Sequence, residues 1–243
     1  IAVGVFSYHQ MKDRPGISFW SDIKSALRGE LGAITTSPTK GLFIAFEGGE
    51  GSGKSTQTKL LKEWLEKQNR SVLLTREPGG TDLGNYLRKI LLANETGNIS
   101  PRAEALMYAA DRAHHVFSLI RPALDRGNVV ITDRYFDSSI AYQGAGRILD
   151  PNEVGRISRW ATESLIPTLT IILDQDPAIG LQRIHNSDRL ESEPIEFHNR
   201  VRNEYLQLAA QDPERYFVIN AEQDISKIHA EITDRISKYL LLT

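Results

Sequence analysis

Cysteine is absent from all 243 residues. That excludes a disulfide framework and any zinc site built on thiolates. It suits a reducing cytosol, so a cytoplasmic location is the expectation. No apolar run approaches the 18 or more residues of a membrane span. The opening IAVGVF is too short, and lacks the basic leader, for a secretory signal. Nor does one sign of charge dominate: 29 Lys+Arg stand against 31 Asp+Glu, a net charge of −2. This argues against a non-specific DNA-coating protein but leaves room for a local basic pocket. Internal repeats and low-complexity tracts are also missing.

What is present is 40% hydrophobic residues and enough length for one large α/β domain or two small ones. The first 40 residues look unlike the remainder. One short amphipathic helix is expected near Ser18–Arg28, and TTSPTK reads as a linker. Residues 1–40 are therefore taken as an N-terminal extension or linker and 41–243 as the folded domain. The chain opens on Ile1, which leaves two readings: a piece of a longer product, or a true start at Met11.

From residue 41 onward five apolar, β-prone runs recur: Leu42–Glu47, Ser71–Glu77, Asn128–Arg134, Leu169–Asp174 and Arg215–Asn220. The stretches between them have helical spacing, as in Leu60, Leu61, Trp64 and Leu65. Near-continuous apolar strands separated by helices predict a doubly wound α/β fold. Its five-stranded parallel sheet is covered by helices on both faces, with right-handed crossovers. Such sheets bind ligands at the carboxyl edge of their strands. Three of the runs end there in charge: Glu47, the Asp133/Arg134 pair and Asp174.

The stretch GGEGSGKS, residues 48–55, sits between the first run and a helix-like segment. Gly48-x-x-x-x-Gly53-Lys54-Ser55 matches the Walker A pattern in its proper strand–turn–helix context. Side chains at Gly48, Gly51 and Gly53 would obstruct backbone amides that wrap a phosphate chain. The positive end of the following helix faces the anion. Lys54 is expected on the β- and γ-phosphates and Ser55 on Mg²⁺. Gly48, Gly49, Glu50, Gly51, Ser52, Gly53, Lys54, Ser55 and Thr56 are the expected ATP-binding loop. No guanine-reading NKxD segment follows, and the second acidic strand ends in ITDRYF rather than DE. Asp133 remains a metal candidate. Arg134 beside it points to a second anionic substrate.

Together FEGGEGSGKSTQ, TREPGGT, LMYAADR, DRYFDSSIAYQGAGR, DQDPxxGLQR and DRLE…FHNRVRNEY resemble thymidylate kinase, over roughly residues 41–240. The resemblance implies transfer of the γ-phosphate of ATP to dTMP, giving dTDP and ADP. It also implies Mg²⁺ held through Ser55 and Asp133, and a homodimer packed through helices, for which the amphipathic stretch Ala103–Leu124 is the candidate surface. Carried over motif by motif, Arg76 and Glu77 line the acceptor pocket, and Arg88 and Arg134 grip the dTMP phosphate. Tyr108 stands where the family usually has a stacking phenylalanine. Arg112 reaches a thymine carbonyl, Ser139 and Gln143 meet the base edge, and Tyr142 packs against the sugar. The loop carries Glu50 and no arginine, like the bacterial subtype whose lid supplies the cation. The lid is placed at about Ile184 to Glu193, with Arg189 inside it and Arg183 just before it as catalytic candidates. His185 and Asn186 stand where bacterial relatives often hold a further arginine. The resemblance leaves two alternatives, a kinase for another nucleotide or nucleoside and a nucleotide-binding regulator without activity. It also suggests that residues 1–40 are the junction to an upstream membrane-transport-like domain.

Overall fold

The computed structural model describes residues 41–185 and 187–240. The expected helix near Ser18–Arg28 and the TTSPTK linker lie outside the described residues. Five strands appear where the apolar runs place them, each within two residues at either end: β1 (Phe43–Gly48), β2 (Val72–Arg76), β3 (Val129–Asp133), β4 (Leu169–Asp174) and β5 (Tyr216–Asn220). They form one parallel sheet in the order β2-β3-β1-β4-β5. The helices are α1 (Lys54–Glu66), α2 (Asp82–Leu92), α3 (Pro101–His115), α4 (Arg121–Asp125), α5 (Phe136–Ser139), α6 (Pro151–Ala161), α7 (Pro177–Leu181), α8 (Ile195–Gln211) and α9 (Ile225–Leu240).

Every residue of β1 is buried, as a central parallel strand covered on both faces requires. Its alternation divides the core. Ile44 and Phe46 pack with Leu61 and Leu65 of α1 and Ile228, Ile232 and Ile236 of α9. Phe43 and Ala45 face the other way, against Ile120, Leu124 and Tyr135. A third cluster joins Ile172 to Val201 and Tyr205 of α8. Each buried Leu or Ile contributes about 1.5–3 kcal/mol.

Helix starts follow from local chemistry. Thr81 caps α2 by accepting from the Gly84 amide, and Ser100 caps α3 ahead of Pro101. The long stretch expected over Ala103–Leu124 is helical but interrupted, widening into a π-turn at Val116–Ile120 just before Pro122. Proline has no N–H for the ladder, so the preceding turn must change its bonding. A second π-turn, Ile140–Gly146, continues α5 and carries Tyr142 and Gln143.

Strand register sets the functional edge. Arg76 pairs with Asp133, Asp133 with Phe46, and Gly48 with Leu173. The carboxyl ends of β1, β2 and β3 therefore converge beside the turn into α1.

Candidate active site

The turn after β1 delivers Gly53 in a left-handed conformation (φ 90°) as the N-cap of α1. Gly53 brings no capping side chain, so the first amides of α1 stay open to an anion. Lys54 folds back over the loop. Its Nζ donates to Gly49 O at 2.7 Å, Gly48 O at 3.1 Å and Ser52 Oγ at 3.3 Å. Burial, then the charge of Arg134, lowers this ammonium to about 8, while Glu50 opposes the shift.

The protein itself supplies a reason for glycine at 51. A Cβ there would lie 2.2 Å from Gly180 O, and one on Gly180 would lie 2.1 Å from Glu50 O. The loop thus leans backbone-to-backbone on α7. At Gly53 a Cβ would meet nothing within 4 Å; the positive φ is what selects glycine.

Ser55 Oγ donates to Asp133 Oδ2 at 3.0 Å, which places a hydroxyl and a carboxylate at the mouth of the loop. Both are oxygen donors suited to a hard cation. No group of three or more His, Cys, Asp or Glu that would hold a metal exists among the described residues. A divalent ion here would depend on phosphate and water oxygens, as Mg²⁺ characteristically does.

Two clefts meet beside the loop. One, about 900 Å³, is lined by Glu50 to Thr56 with Arg76 and Asp133. The other, about 560 Å³, is lined by Tyr108, Arg112, Tyr142, Gln143 and Leu190 among others. Glu50, Glu77, Arg88, Arg134 and Glu191 line both. Arg134 sits at φ 71°, a conformation an arginine holds only when its surroundings fix it. Its Nη1 donates to Gly48 O at 3.1 Å, and its Nη2 to Glu50 Oε1 at 2.6 Å and the Tyr142 hydroxyl at 3.0 Å. Burial works against the Glu50 carboxylate, but Arg134 and Lys54 override it and hold the group down at about 2. Arg88 donates to Pro78 O at 3.1 Å.

Arg112 is buried behind the smaller cleft. It donates to Glu77 at 2.7 Å, Ser158 at 3.3 Å, Tyr135 O at 3.2 Å and Ser139 Oγ at 3.1 Å. Four of its five N–H groups are thus used. Glu77 is braced again by His115, whose other ring nitrogen meets Thr75. Asp111, alongside, faces the Gly79 amide; burial and the Glu77 charge push it up to about 7.

The structure brings Arg76, Glu77, Arg88, Tyr108, Arg112, Arg134, Tyr142 and Gln143 onto the two clefts. Ser139 lines neither and touches Arg112 instead. Residues Arg183 and Arg189 also line neither. Arg183 reaches the loop, donating to Gly51 O at 3.0 Å. Arg189 is tied to Leu91 O at 2.8 Å and to Glu104 at 2.6 Å. The lid segment has its own reciprocal turn, with Asp188 N donating to Glu191 and Glu191 N to Asp188.

Gly180 and Glu47 are among the residues with structural claims on the site that went unassigned in the sequence. Gly180 was visible within GLQR, but its contact with the loop depends on the fold. Glu47 was visible only as a strand-end charge. Its buried carboxylate accepts from Tyr135 N, Ser138 N, Ser138 Oγ and the Tyr205 hydroxyl at 2.6–3.2 Å. It anchors the backbone that follows Arg134. Burial, then the charge of Asp137, pushes it up to about 7.

Comparison with known proteins agrees with this geometry. The thymidylate kinase family model matches residues 46–232. A thymidylate kinase from Leifsonia xyli subsp. xyli is 56% identical over 200 residues, covering 81% of this chain and 94% of that protein. One from Cutibacterium acnes is 50% identical over 200 residues, covering 82% and 98%. The crystal structure of thymidylate kinase from Ehrlichia chaffeensis superposes with a TM-score of 0.68 at 34% identity, covering 82% of this chain and 99% of that one. A P-loop opening onto an arginine-lined second cleft, with a family match across most of its length, makes this chain a member of the thymidylate kinase family.

Proposed function

We propose that the chain transfers the γ-phosphoryl group of ATP to dTMP, giving dTDP and ADP in dTTP synthesis. The observation that carries this reading is the junction of two clefts at Arg88 and Arg134, in a chain of this family. Two polyanions meet there without a covalent intermediary.

The loop from Gly48 to Thr56 holds the ATP phosphates through its amides and Lys54. Arg88 and Arg134, with Arg76, hold the acceptor phosphate. Tyr108 stacks on the base, Arg112 and Gln143 meet its edge, and Tyr142 packs beside the sugar. Ser139 acts through Arg112, which it helps to orient. Ser55 and Asp133 would hold Mg²⁺, which when bound offsets charge on the β- and γ-phosphate oxygens.

A dTMP phosphate oxygen attacks the γ-phosphorus. A bond forms between them, the γ-phosphorus bond to the β-bridging oxygen breaks, and ADP leaves with the electron pair. The second pKa of a phosphate monoester is about 6, so the nucleophile is anionic at neutral pH and no side chain has to remove a proton. Alignment and charge neutralisation supply the catalysis. An acceptor phosphate on Arg134 competes with Glu50 for its guanidinium. Of the two lid-side arginines, Arg183 already reaches the loop. Arg189 joins it only by leaving Glu104. Closure of the lid excludes water, a competing acceptor.

We place the enzyme in the cytoplasm and as a homodimer. Among the described residues no helix is long and apolar enough to cross a membrane. The test is a panel of acceptors with ATP and Mg²⁺, read by coupled ADP release. Activity with dTMP well above dCMP, dGMP and thymidine is expected, reduced about 100-fold or more in Lys54→Ala. Equal or greater turnover with thymidine, or none with dTMP, contradicts the reading.

A further inference from the structure

Glu104 lines neither cleft and is fully buried on α3. Its Oε1 accepts from Gln143 Nε2 at 3.0 Å and Arg147 Nε at 3.2 Å. Its Oε2 accepts from Arg147 Nη2 at 3.2 Å and Arg189 Nη2 at 2.6 Å. Burial opposes its ionisation, but bonds from Arg147 and Gln143 and the charges of Arg147 and Arg189 hold it below the usual carboxylate range.

An ionised carboxylate can only accept hydrogen bonds. The Gln143 amide must therefore give Glu104 its NH₂ and turn its carbonyl elsewhere. Among the described residues no donor reaches Gln143 Oε1, and Gln143 lines the smaller cleft beside Tyr108 and Arg112. One N–H of Arg112 likewise has no acceptor among the described residues. Two side chains that line the cleft thus keep an unengaged group among the described residues, an acceptor on Gln143 and a donor on Arg112. The edge of thymine offers the complement, an N3–H donor next to the O4 acceptor. Cytosine offers the reverse, an N3 acceptor next to an amino donor.

We propose that Glu104 is a positioning residue for base selection, fixing the Gln143 amide so that its oxygen faces the substrate and a pyrimidine with a protonated N3 is preferred. Through Arg189 the same carboxylate holds the lid segment, so the base-reading amide and the lid share one anchor. This rests on the reading of the smaller cleft as the dTMP site.

The experiment compares the wild-type enzyme with Glu104→Gln, measuring the Michaelis constant for dTMP and the inhibition constant for dCMP. A neutral amide at 104 can accept or donate, so the Gln143 amide loses its fixed direction. The ratio of the two constants is expected to shift about tenfold toward dCMP, the worth of one hydrogen bond; kcat is read separately, because the same variant loosens Arg189. In a Gln143→Ala background Glu104→Gln should leave the ratio where it is, because the two residues act as one unit. If Glu104→Gln does not fold, Glu104→Asp serves. It keeps the charge for the arginines, draws back from Gln143, and should shift the ratio the same way. An equal weakening of both nucleotides, or a shift that persists without Gln143, overturns the proposal. Wild-type protein inactive on dTMP defeats the functional reading itself. Activity on dTMP with a ratio unmoved by the variant defeats only the role of Glu104.

Discussion

Single side chains around the acceptor cleft are held in opposite protonation tendencies by their surroundings. Glu50 sits low at about 2 because Arg134 and Lys54 outweigh its burial. Asp111 is pushed up to about 7 by burial and Glu77. A carboxyl raised in the folded state holds a proton that the unfolded chain has already released. Its contribution to stability is complete below about pH 4 and is lost as pH rises through about 7. Asp111→Asn removes that dependence and keeps an acceptor for the Gly79 amide. Relative to wild type, the variant should gain on the order of 1 kcal/mol between pH 5 and pH 8, measured as urea unfolding at both. An unchanged difference at the two pH values contradicts the assignment. The residues proposed to hold phosphate were legible because their chemistry is written locally: a lysine after glycines, an arginine after a strand-end aspartate. Glu104 was not, and Ser139 was named for the base edge rather than for Arg112, because these contacts come from partners brought near only by folding, Arg189 85 positions away from Glu104 and Arg112 27 from Ser139.

Among elements, the contact between the phosphate loop and α7 is the least tolerant. Gly180→Ala would set a methyl group 2.1 Å from Glu50 O, so loop or helix must shift. Overpacking of this kind costs about 1–3 kcal/mol, and the shift falls on the ATP side. A raised Michaelis constant for ATP with a lower melting temperature is expected; an unaltered one for ATP contradicts the docking. The lid gives a second expectation. Arg183 touches the loop while Arg189 is engaged by Glu104. Arg183→Ala should therefore lower kcat about tenfold or more, in single-turnover kinetics, with little effect on dTMP affinity. Full retention of kcat would remove Arg183 from the transition state. Strand and helix placement was legible from apolar periodicity, since buried parallel strands cannot be polar. The π-turns were not, because widening of a helix reflects packing and a proline's missing donor rather than periodicity.

The described residues form a doubly wound sheet whose strand order puts β1 between β3 and β4, and that order brings the two clefts together. Exposed Leu106 and Phe117 lie along α3 and the turn after it, and Ile157 and Trp160 on α6, which packs beside α3. We infer that this apolar surface is the homodimer face. Light scattering should give twice the chain mass, and Phe117→Asp should give the monomer. A monomeric wild type contradicts it. The fold class was legible because alternating strands and helices admit few arrangements. The meeting of the clefts was not, being a property of strand order.

The central claim is that the acceptor phosphate lies in line with the γ-phosphorus and takes it directly. The most direct measurement uses ATP whose γ-phosphoryl group is made chiral with isotopes and sulfur, followed by configurational analysis of the dTDP product. A single in-line displacement predicts inversion at phosphorus. Retention would mean that a side chain of the protein carries the phosphoryl group between the two nucleotides, which contradicts direct transfer.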